Sequence, residues 1–112
     1  VNSQPSIFDW NWHVLMLNQA LLGSISNNFK AVVLHFQKDH WLVEVILEKH
    51  SESDIEEAQD IVDVMSTFLE DIRSELSDLA NCAIRVKTKV APKRNSYISA
   101  DQTRMVFWRK ED

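Results

Sequence analysis

Glycine is almost missing from this 112-residue chain, where Gly23 is the only one. Phosphate-gripping turns of the P-loop and dinucleotide types need several glycines for close backbone approach, so nucleotide binding of that kind is excluded. Cysteine is as scarce, and the single Cys82 has no partner for an internal disulfide. A lone thiol fits a reducing compartment, and beside an apolar strand it reads as a small buried hydrophobe rather than a nucleophile. No apolar run approaches the roughly 18 residues of a membrane span. The N-terminal residues lack the basic, apolar and small-residue order of a secretory signal. A soluble cytoplasmic protein with no membrane partner is the expectation.

Metal-ligand spacing is absent too. His13, His35, His40 and His50 form no HExxH or other pattern that sets two ligands on one helical face. Asp9 and His13 stand one helical turn apart, as a pair decorating a helix end. His40 beside Asp39 reads as a solvated turn residue. His35 and Glu44 read as a polar pair across a hairpin. No catalytic residue, metal or cofactor is expected, and the chain does not read as an enzyme.

What is present is a core. Hydrophobic residues make up 45% of the chain, with ten aromatics, enough for one domain of this size to bury roughly 65% of its unfolded surface. Beyond a loose tail at 1–6, Trp10, Val14, Leu17 and Leu21 recur at helical spacing, and Leu15 and Leu22 widen that apolar stripe. Gly23 falls where a left-handed residue would end the helix. The runs KAVVLHFQ and WLVEVILEK flank Lys38–Asp39 and predict a β-hairpin. A two-residue turn there places Val32, Leu34 and Phe36 on one face with Trp41, Val43 and Val45.

The next helix is the plainest in the chain. Ser53 and Glu56 match a capping box. Behind them Ile55, Ala58, Ile61, Val62, Met65, Phe68, Leu69, Ile72, Leu76 and Leu79 form a continuous apolar stripe. In AIRVKTKV, Ile84, Val86 and Thr88 alternate with Arg85, Lys87 and Lys89, the mark of a half-exposed strand with a basic outer row. A long loop follows at 91–103, then a last strand in RMVFWRK. These elements give a single α+β domain over 1–112. Its order is αββαββ: a mainly antiparallel four-stranded sheet with two helices packed on one face.

Charge is strongly divided along the chain. Residues 51–82 carry ten acids against the lone Arg73, whereas residues 83–112 carry eight bases and three acids. Such a chain either neutralises itself across packed elements or presents acid and base in different directions. Nucleic acid is an unlikely partner for a domain with a pI near 5.3. The helix dipole explains acids in a first turn, but not Glu70, Asp71, Glu75 and Asp78 further along. No lysine stands at the i+4 positions that would relieve the acidic face, and Glu56–Asp60 and Asp71–Glu75 are like-charged neighbours. We read Glu56, Asp60, Asp63, Glu70, Asp71, Glu75 and Asp78 as a surface for a basic partner.

In size, charge and element order the chain resembles the small acidic immunity proteins that bacteria make against their own toxins, of the colicin and contact-dependent inhibition types. That resemblance implies a non-catalytic inhibitor covering the basic surface of a nuclease-type toxin. The alternative is a self-associating structural or adaptor protein. There Trp10, Trp12, Trp41 and Trp108 enrich an interface and the acidic helix of one copy meets the basic strand of another in a homodimer.

Overall fold

The computed structural model describes residues 4–72, 74, 83–90 and 103–109. Two helices and four strands follow in the expected order: α1 (Ile7–Leu21), β1 (Phe29–Gln37), β2 (His40–Leu47), α2 (Glu52–Glu70), β3 (Ala83–Val90) and β4 (Thr103–Trp108). The sheet runs β3-β2-β1-β4. β1 pairs antiparallel with β2 and with β4, while β3 lies parallel to β2. The one parallel pair follows from connectivity: α2 stands between β2 and β3, and such a helix is the usual crossover for parallel neighbours.

The hairpin forms in the expected register, Phe36 opposite Trp41, Leu34 opposite Val43 and Val32 opposite Val45. Its turn lacks glycine and accepts Lys38 at φ 49° instead, a left-handed conformation uncommon outside Gly, Asn and Asp. The six paired residues are buried and, with Phe29 and Leu47, make the fully buried part of the sheet's share of the main core. α1 contributes Trp10, Leu17, Ala20 and Leu21; α2 contributes Ala58, Ile61, Val62, Met65 and Leu69. Both helices therefore cover one face. A smaller buried cluster of Ala31, Val33 and Ile46 lies on the opposite face. A bulge at Lys30 lets Phe29 join the main core although it is two residues from Ala31.

Trp41 is the centre of the main core and is fully buried. Trp10 and Phe36 meet it edge-on, each with ring centroids 4.9 Å away, and His13 stacks on it at 3.9 Å. Asp9 and His13 do pair at the helix end, as expected, but both are buried rather than solvated. The His13 Nδ1–H donates to the Asp9 carbonyl at 2.7 Å. The Asp9 carboxylate accepts from the Ser6 amide at 3.0 Å while the Ser6 hydroxyl accepts from the Asp9 amide. That reciprocal pair is a capping box, with Ser6 as the N-cap of α1.

Three further expectations change. Leu15 and Leu22 do not widen the buried stripe of α1; they are 44% and 73% exposed. The cap of α2 is Ser51, whose hydroxyl accepts from the Asp54 amide, not Ser53. Thr103, assigned to the long loop, opens β4. Gly23 sits at φ 79°, one residue beyond the α1 cap at Leu22, where a left-handed residue was expected. Cys82, Leu76, Leu79 and the rest of that loop lie outside the described residues.

Candidate functional site: the outer side of the helical layer

Packing decides which way the α2 acids point. Ala58, Ile61, Val62, Met65 and Leu69 are buried beneath the helix. At 100° per residue the opposite side is then occupied by Glu52, Glu56, Asp60, Asp63 and Glu70, with Asp71 at the cap, and all six are exposed. The stripe runs about 27 Å, from a rise of 1.5 Å per residue. α2 contains neither Lys nor Arg. Asp63 is steadied on the stripe, its carboxylate accepting from Gln59 at 3.1 Å and its carbonyl from the Thr67 hydroxyl at 3.0 Å. Glu52 meets the His50 ring at 2.9 Å.

α2 is described to Glu70, with Asp71 as its cap. Two acids therefore stand at the negative end of the helix dipole, where cations are favoured. Of the seven acids singled out in the sequence, Glu56, Asp60, Asp63, Glu70 and Asp71 share this outer side. Glu75 and Asp78 lie outside the described residues.

Asp54 serves a different purpose. Burial raises its pKa, but hydrogen bonds from Asn28, Ser26 and Ser51 outweigh that and leave it lowered. Asn28 Nδ2 donates to Asp54 at 2.9 Å and to the Lys49 carbonyl at 2.8 Å, and Asn28 Oδ1 accepts from the Lys49 amide. This polar knot ties the α1–β1 connector to the start of α2. It holds the acidic helix in place and is not part of the stripe.

The basic row is elsewhere. Ile84, Val86 and Thr88 of β3 pair with Trp41, Val43 and Val45, on the helix-covered face. Arg85, Lys87 and Lys89 pair with Leu42, Glu44 and Ile46 and so project from the other face, all three exposed. Although α2 packs against β3, its acids and the β3 bases point in opposite directions. The same far face holds a polar chain across three strands. His35 Nε2–H donates to Glu44 at 3.1 Å, and the Thr103 hydroxyl lies 3.0 Å from His35 Nδ1. The carboxylate accepts from Nε2–H, so in the neutral ring Nδ1 accepts from Thr103; this links β4, β1 and β2.

The helical layer thus presents an acidic outer surface backed by a buried apolar core. A model of the MafI2 immunity protein family matches residues 10–111. The chain belongs to the MafI2 immunity protein family. Membership implies a toxin as partner and a non-catalytic, inhibitory role. The match runs from Trp10 in α1 to beyond β4 and so spans most of α1, all of α2 and all four strands. No curated protein matches the chain. Among the described residues no helix is long and apolar enough to cross a membrane, and no group of three or more His, Cys, Asp or Glu gathers to hold a metal ion.

The outward residues of α1 include Ile7, Phe8, Leu15 and Leu22, all exposed. Periodicity had assigned the last two to the core. An α1 this rich in apolar residues has more of them than one buried face can take, and spacing alone does not rank them.

Proposed function

We propose that this member of the family neutralises a nuclease-type toxin by laying the acidic side of α2 over the toxin's basic, substrate-binding surface. Glu56, Asp60, Asp63, Glu70 and Asp71 meet its basic side chains. The inhibited toxin then loses access to its nucleic-acid substrate by occlusion, with no chemistry on the inhibitor's side. One observation carries this reading: Glu56, Asp60, Asp63 and Asp71 face away from the Arg85–Lys87–Lys89 row, so that row does not neutralise them. A row of like charges costs a few tenths of a kcal/mol per i,i+4 pair when nothing opposes it. A basic partner removes that cost and gains orientation and speed of docking.

The test is titration of the protein with its cognate toxin domain, identified by co-purification, followed by calorimetry. Reversing charge at Glu56, Asp60 and Glu70 together is expected to weaken binding by at least 100-fold, with the far-ultraviolet spectrum unchanged because all three are exposed. Unchanged affinity in that variant would remove the acidic-face mechanism. A toxin that cleaves no nucleic acid would remove the nuclease assignment while leaving the inhibitor.

A further inference from the structure

The outer side of α1 is unlike that of α2. Ile7 and Leu22 are each 73% exposed, Phe8 49% and Leu15 44%. On the same side stand Asn11, Asn18 and Gln19. The only charged residue in α1 is Asp9, which is buried in the capping box. Phe8 and Trp12 pack edge-on with centroids 6.2 Å apart, which holds two aromatic rings in place before anything binds. An exposed helix face that is apolar, aromatic and free of charge has the composition of an interface core.

We propose that the α1 face is the apolar centre of the toxin interface and that the α2 acids are its charged rim. This deepens the reading above and rests on it. The two helices cover the same face of the sheet, so their outward sides form one continuous surface, with helix axes about 8–10 Å apart. A stable interface draws about 800 Å² from each partner. A single helical stripe about 27 Å long and 10 Å wide supplies roughly a third of that, so the acids need a neighbouring surface.

Charge selects the occupant. Neither helix carries Lys or Arg, so a second copy meeting this layer with its own helices brings more acid and no base. Its β3 bases, on the far face of the sheet, could meet it only head to tail, a contact that does not close into a symmetric dimer. An anionic bilayer is repelled by the same stripe. The partner that fits is a protein whose basic surface borders an apolar patch able to receive Phe8, Leu15 and Leu22. Apolar anchors at the centre set the dissociation rate, and charges at the rim set the association rate.

The experiment compares two variants with wild type, using the same cognate toxin domain as the probe. F8S/L15S/L22S removes the apolar face; E56K/D60K/E70K reverses the rim. The first is expected to bind at least 100-fold more weakly, chiefly through faster dissociation, and to melt within a few degrees of wild type. If the triple variant fails to fold, Leu22→Arg alone, at one of the two most exposed positions, is expected to weaken binding at least tenfold. Affinity within threefold of wild type for a folded α1 variant, alongside lost binding in the charge variant, overturns this inference and leaves the acidic-face mechanism standing. A wild type that binds no toxin removes both. Light scattering and sedimentation with phosphatidylcholine vesicles, with and without phosphatidylserine, cover the other occupants. A dimer or vesicle association abolished by F8S/L15S/L22S while toxin affinity is kept also overturns it.

Discussion

Asp54 shows how one residue can belong to an acidic segment and yet serve the fold. Its carboxylate accepts from Ser26 at 3.0 Å and Asn28 at 2.9 Å, and these bonds outweigh burial to hold its pKa below the ordinary aspartate value. A carboxylate with a depressed folded pKa contributes stability that is present above its unfolded pKa and is lost as pH falls through the folded one. Asp54→Asn is therefore expected to flatten the acid limb of the stability–pH curve below about pH 4, a window set by the unfolded carboxylate value. Urea unfolding at pH 3 and pH 7 checks it: the wild type should lose more stability on acidification than the variant. Glu48 behaves similarly through its 2.7 Å bond from Arg109, at an exposed site. Nothing in the sequence distinguishes Asp54 from Glu56 or Asp60. The distinction arises because Ser26 and Asn28, far away in the chain, are brought to it.

Among the elements, α2 was legible as a helix and misread at its start. SESD offers two serines, and spacing favoured Ser53 with Glu56. The chain enters the helix one turn's fraction earlier, with Ser51 extended at φ −152° and its hydroxyl 3.3 Å from the Asp54 amide. Ser51→Ala is expected to cost about 1 kcal/mol and Ser53→Ala less than about 0.5 kcal/mol, since the first removes a cap and the second an exposed hydroxyl. Thermal melts of the two variants check the order. The entry point is set by the Asn28 contacts at Lys49, which fix where β2 ends. Local patterning around SESD contains no trace of them. α1 is the complementary case. Its stripe of Trp10, Leu17 and Leu21 was readable, whereas the exposure of Leu15 and Leu22 depended on how much of the helix the sheet and α2 cover.

For the whole molecule the arrangement of charge gives the clearest prediction. With acids on the outer side of the helices and Arg85, Lys87 and Lys89 on the far face of the sheet, the two sets are separated by the thickness of two layers. That exceeds the screening length of about 8–10 Å at ordinary ionic strength. Toxin association is therefore expected to slow at least tenfold between about 20 and 200 mM salt, with dissociation changing much less. Stopped-flow measurement of both rates checks it, and a salt-independent association rate would contradict the electrostatic part of the mechanism.

The sequence by itself determined the element order, the hairpin register and the division of charge along the chain, because alternation and helical periodicity are local consequences of which side chains avoid water. It also carried the likeness to immunity proteins, through size, acidity and element order. Only the tertiary structure decided whether the acidic helix and the basic strand neutralise each other. They are neighbours in the fold, yet they face opposite ways. One apolar core draws Ala58, Ile61 and Met65 down from the helix and Ile84 and Val86 up from the strand. The charged residues of both are thereby turned outward, to opposite sides of the molecule.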